Sequence, residues 1–152
     1  MITQAANYLD EATPIRVLLA DDDRAVLGVL HGVIRFLGQI VVGTAVNPNE
    51  CIRRVDDLRP DVVLMDLTMA GGDGVATAET ILNKSQVPVI ITTGSSDQAT
   101  FDRLEHADIA GYLAKPFKLE SIKAAIESAT SRATRDDKSF APAEPANGAA
   151  AA

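Results

Sequence analysis

The sequence predicts an α/β protein in which one parallel sheet of five strands is doubly wound by five helices. Three observations carry this. Short apolar runs alternate with longer amphipathic stretches through residues 15–132, strand then helix, five times over. The runs are continuously apolar, as strands covered on both faces require. Four of the five runs end in a polar or charged residue, which gathers unusual side chains on one edge of the sheet.

The elements follow in order. Ile15 to Ala20 is an apolar run that breaks into Asp21, Asp22 and Asp23. From Arg24 to Leu37, apolar residues at Val26, Leu27, Leu30, Val33, Ile34 and Leu37 line one helix face, and Gly38 stops the helix. Ile40 to Val46 reads as strand, and Pro48 to Leu58 as helix with proline suited to its first turn. Asp61 to Asp66 is the strongest strand. Asp73 and Gly74 form a turn that opens a helix to Lys84. Val87 to Thr93 is strand, Asp97 to His106 helix, Ala110 to Ala114 strand, and Leu119 to Arg132 helix.

Composition narrows the function. The 152 residues are 47% hydrophobic and 23% charged, which fits one globular domain. No run approaches the ~18–20 apolar residues that span a bilayer. Met1 to Glu11 lack a basic cluster followed by an apolar run, so no secretory signal is expected, and a cytoplasmic location is. Cys51 is the single cysteine and reads as a small packed hydrophobe. With only His31 and His106 beside it, neither a disulfide framework nor a structural zinc site is available. A net charge of −7 argues against nucleic-acid binding, which needs a basic face. Residues 15–130 hold 11 basic and 16 acidic side chains, so most of the acidity belongs to the folded part. Residues 1–14 read as an N-terminal extension, and residues 133–152 as a disordered Ala/Pro-rich tail. With no second folded region after residue 132, the expectation is a stand-alone domain whose output is contact or relay.

The edge residues suggest one site. Asp21 and Asp22 follow the first strand, Asp66 closes the third, Thr93 the fourth and Lys115 the fifth. Carboxylates brought close repel one another and raise each other's pKa unless a cation intervenes. Hard oxygens in an incomplete protein cage are what Mg²⁺ accepts. An ionised Asp66 beside such a cation and an ammonium can attack a phosphoryl group and form an acyl phosphate. Phosphoryl transfer needs its equatorial oxygens neutralised, which Lys115, the metal and the Thr93 hydroxyl would do. Gly94 would keep the attack direction open.

Five stretches, in this order and at these distances, resemble the receiver domain of two-component response regulators: Val17–Asp23, Asp61–Met69, Gly72–Gly74, Pro88–Gly94 and Gly111–Phe117. The resemblance covers about residues 15–130. It implies a flavodoxin-like sheet of strand order 2-1-3-4-5. It also implies Asp66 as phosphoacceptor, Asp22 as direct metal ligand, Asp21 as a ligand acting through water, and Thr68 as donor of a backbone carbonyl. Mg²⁺ is the implied metal, with Mn²⁺ able to substitute. Thr93 resembles the switching hydroxyl, Tyr112 the aromatic rotor coupled to it, and Lys115 the lysine that pairs with the phosphoryl group. The Lys115–Pro116 bond is implied to be cis. The implied partners are a sensor histidine kinase or histidine phosphotransfer protein and a downstream protein, with the chain a monomer or a phosphorylation-dependent dimer. No enzymatic turnover is implied beyond self-phosphorylation and slow autodephosphorylation.

The pattern departs from the family in two places. Met69 is followed by Ala70 where Met-Pro is usual, which is expected to loosen the loop beside the site. His106 to Ala110 replaces a small-residue turn, which alters the surface built by the last two helices and the last strand. Simpler readings stand beside these. Asp21 and Asp22 could only cap the first helix, with Asp23 solvated. Tyr112 could only pack. At the level of function, a degenerate receiver that binds proteins without phosphorylation is one alternative, although neither the acids nor the lysine is missing. An Asp-nucleophile phosphohydrolase of the haloacid-dehalogenase type is another, but its nucleophile precedes its extra acids, the reverse of the order here. A dinucleotide-binding fold lacks its G-x-G-x-x-G after strand one.

Overall fold

The computed structural model describes residues 13–70 and 72–134. Five strands, β1 (Arg16–Ala20), β2 (Ile40–Ala45), β3 (Val62–Asp66), β4 (Val89–Thr93) and β5 (Gly111–Ala114), alternate with five helices. The helices are α1 (Arg24–Phe36), α2 (Pro48–Leu58), α3 (Gly74–Ser85), α4 (Gln98–Glu105) and α5 (Leu119–Thr134). All strand pairs are parallel, in the order β2-β1-β3-β4-β5. The predicted fold class and strand order therefore hold.

Alternation along each strand divides the core into two. Leu18, Val63, Met65, Val89 and Ile91 face the layer holding Val55, Ala78, Ile81 and Leu104 of α2, α3 and α4. Val17, Leu19, Leu64, Ile90 and Leu113 face α1 and α5 through Leu30, Ile34, Ile122 and Ile126. Cys51 lies wholly inside the first layer as the small hydrophobe expected, and burial pushes its thiol up to about 12.

Element ends differ from the sequence reading for local reasons. Pro88 has no N–H for the ladder, and β4 begins one residue later, although the Pro88 carbonyl still accepts from Val63 N. Asp61 precedes β3; its carboxylate accepts from Arg16 N and its N–H donates to Arg16 O. Gly38 takes a φ of 81° just past α1, the left-handed turn that stops the helix. Asp23, rather than Asp21 or Asp22, caps α1 by accepting from Ala25 N. Helix α5 runs two residues beyond the expected Arg132, to Thr134. The rest of the predicted tail and most of the N-terminal extension lie outside the described residues. Among the described residues no helix is long and apolar enough to cross a membrane.

Candidate functional site

The strand order creates the site. From β1 the chain crosses to β2 on one side, then returns past β1 to β3, so the helices after β1 and β3 leave toward opposite faces. A crevice opens between the carboxyl ends of these two strands. Asp21 and Asp22 come from one wall and Asp66 from the other. Ladder bonds continue past the strand ends and fix the site backbone. Asp21 N donates to Ala45 O at 3.0 Å, Leu67 N to Thr92 O at 2.8 Å, and Lys115 N to Thr93 O at 2.7 Å.

Lys115 reaches across the sheet edge. Its Nζ lies 3.0 Å from Asp21 Oδ2 and 3.1 Å from Asp66 Oδ1. Asp21 and Asp66 are buried, Asp22 is exposed, and one carboxylate oxygen from each lies within 4.8 Å of the others. Burial pushes the Asp66 carboxyl up; the Lys115 hydrogen bond opposes this, and the charge on Asp21 adds to it. Burial works against the Lys115 charge, but its bonds to Asp21 and Asp66 outweigh that and raise its pKa. Three acids thus face one ammonium, and the deficit is positive charge. Clustered carboxylate oxygens in an incomplete protein cage are the hard donor set that a small divalent cation accepts.

Thr93 is buried at the end of β4, and its hydroxyl accepts from Ser95 N at 3.0 Å. Ser95 in turn joins the cap of α4: its hydroxyl donates to Asp97, which accepts from Thr100 N and Thr100 Oγ1. The Ser95 bond is the first cause of the lowered Asp97 pKa. Tyr112 is buried on β5, stacked on Phe101 of α4 with ring centroids 5.6 Å apart, and donates to Glu105 at 3.4 Å. Burial, then the neighbouring Glu105, raise its pKa. Thr68 is exposed in the turn after β3. The Lys115–Pro116 bond is cis.

Three features were missed from the sequence. Gly74 packs on the backbone of Asp66 and Leu67: an added Cβ would lie 2.8 Å from both Asp66 O and Leu67 Cα. Asp73, read as the helix start, caps α3 through Val75 N, but its pair with Arg103 of α4 has no sequence signal. The loop at Ala70 is tied rather than merely loosened, because Ala70 N donates to Asp22 Oδ2 at 3.0 Å. The Ser95-x-Asp97-x-x-Thr100 spacing was the readable signal for the α4 cap. A Cβ added at Gly94 would meet no atom within 4 Å beyond its chain neighbours, so packing among the described residues leaves room for alanine there.

Residues 17–127 match the family described as the response regulator receiver domain. The chain belongs to this family. Among curated relatives, the transcriptional regulatory protein PdtaR of Mycobacterium tuberculosis is 34% identical over 123 residues, covering 81% of this chain and 60% of that protein. The response regulator GacA of Pseudomonas aeruginosa is 35% identical over 117 residues, covering 74% of this chain and 53% of that protein. The receiver therefore spans between half and two thirds of these relatives. In structure it is similar to the signal receiver domain of a modulated diguanylate cyclase from Desulfovibrio desulfuricans. The TM-score is 0.75 at 33% identity, covering 82% of this chain and all of that one. A LuxR-family two-component response regulator from Aurantimonas gives a TM-score of 0.71 at 28% identity, covering 79% and 87% of the two chains.

Proposed function

We propose that this receiver takes a phosphoryl group from a histidine kinase or histidine phosphotransfer protein onto Asp66 and signals by protein contact or onward transfer. The observation that carries the reading is the cluster of Asp21, Asp22, Asp66 and Lys115 at one rigid sheet edge. Asp21, Asp22, Asp66 and the Thr68 carbonyl would hold Mg²⁺, which when bound neutralises charge on the phosphoryl oxygens. An Asp66 carboxylate oxygen attacks phosphorus in line. The bond to the donor's imidazole nitrogen breaks as the new O–P bond forms, and its electron pair returns to the imidazole. Lys115 already holds Asp66 and pairs with the incoming phosphoryl oxygens. The Thr93 hydroxyl turns toward the new group and gives up the Ser95 N–H. Tyr112, packed against α4, carries the change outward. The reading implies a cytoplasmic location.

The test is intact mass after incubation with acetyl phosphate and Mg²⁺. An alkali-labile gain of one phosphoryl group, absent in Asp66→Asn and in EDTA, is expected. A gain that survives Asp66→Asn refutes the acceptor. No gain with acetyl phosphate or a kinase supports a receiver that works without phosphorylation.

A further inference from the structure

Asp22 is the exposed member of the acidic cluster, yet its carboxylate is held. Ala70 N, on the loop after β3, donates to Asp22 Oδ2 across 48 residues of sequence. The same loop is closed on itself by Gly72 N to Met69 O at 2.9 Å and on its root by Gly74 N to Leu67 O at 2.7 Å, while Met69 is buried as its anchor. The bond therefore joins the loop after β1, which carries Asp21 and Asp22, to the loop after β3, which carries Asp66 and Thr68. A proline at position 70 would have no N–H to give.

The geometry points to Ala70 as a positioning residue whose backbone N–H braces Asp22 and sets the divalent-cation affinity of the site. The inference rests on the metal reading above. An exposed aspartate otherwise samples several rotamers, and a cation that recruits it must overcome that freedom. The N–H removes the freedom beforehand. It engages Asp22 Oδ2 with a single bond, and a carboxylate with about four acceptor sites keeps the rest for a cation. Bracing therefore tightens cation binding instead of competing with it.

The experiment is calorimetric titration of the full chain with Mg²⁺ alone, comparing wild type, Ala70→Gly and Ala70→Pro. Glycine keeps the N–H, so its dissociation constant stays close to wild type. Proline deletes the N–H, and the constant rises about three- to tenfold, the range of one modest hydrogen bond. Hydrogen exchange at the Ala70 amide, followed by NMR in EDTA, decides the matter independently if the proline variant misfolds. The amide is protected in wild type and loses that protection in Asp22→Ala. Binding by Ala70→Pro as tight as wild type or tighter overturns the brace, as does an Ala70 amide indifferent to Asp22→Ala. If wild type itself binds no Mg²⁺, the metal reading fails and the brace with it. Wild-type binding that proline leaves unchanged defeats the brace alone.

Discussion

Lys115 and Asp66 stand 49 residues apart in sequence and meet at 3.1 Å, with Asp21 sharing the same ammonium. One cation thus serves two buried carboxylates, with a third acid, Asp22, nearby. The arrangement leaves uncompensated negative charge, and its behaviour should depend on what positive charge is available.

Lys115→Met removes the one cation that, among the described residues, contacts Asp21 and Asp66. Leaving buried charge unpaired costs about 3 kcal/mol. The variant is expected to unfold at lower denaturant concentration in EDTA and to recover more stability from Mg²⁺ than wild type does. Urea melts of both proteins, with and without Mg²⁺, check this; equal Mg²⁺ responses would show that the cation does not act at this cluster.

The raised Asp66 pKa makes a second prediction, for metal-free protein. The folded chain holds the Asp66 proton to higher pH than the unfolded chain, so this group's contribution falls as pH rises from the ordinary carboxylate range through the raised value. Asp66→Asn should therefore be more stable than wild type at neutral pH. The difference should shrink as pH drops below about 4, where the unfolded carboxylate also takes its proton. Denaturation in EDTA at both pH values measures it. A less stable Asp66→Asn at neutral pH would mean that the bond to Lys115 outweighs the burial of Asp66.

The fold was legible because hydrophobic continuity and strand–helix alternation are local signals. Asp21, Asp22, Asp66 and Lys115 were legible because each stands at a strand end, and parallel strands share one edge. What escaped is backbone chemistry. The Ala70 N–H has no side-chain signature, and its partner is 48 residues away. Gly74 read as part of a turn, whereas its reason is the approach of α3 to Asp66 O, a property of tertiary packing. Asp23 read as solvated because three successive acids look interchangeable in sequence. Only the position where α1 begins decides which of them caps it.

Gly74→Ala tests that packing. A Cβ 2.8 Å from Asp66 O and Leu67 Cα meets backbone, which cannot turn aside as a side chain end can. Either α3 shifts outward or the end of β3 at Asp66 moves. The expected loss is about 1–3 kcal/mol, as for other overpacked sites, together with slower phosphoryl incorporation from acetyl phosphate. Gly94→Ala is the control, since its Cβ meets nothing within 4 Å, and it should keep wild-type stability. Equal melts for the two variants would remove the packing argument.

Thr93→Ala separates phosphorylation from its consequence. The Thr93 hydroxyl accepts from Ser95 N, and Ser95 belongs to the hydrogen-bonded cap of α4 with Asp97 and Thr100. Turning that hydroxyl toward a phosphoryl group on Asp66 frees the Ser95 N–H and disturbs the start of α4, a short helix with Leu104 as its buried residue. In wild type, phosphorylation should therefore change hydrogen exchange across residues 95–105. In Thr93→Ala the bond to Ser95 is already lost. The variant should accept the phosphoryl group, show altered exchange in this segment beforehand, and show little further change on phosphorylation. An undiminished response in Thr93→Ala would move the switch away from this hydroxyl and onto Lys115.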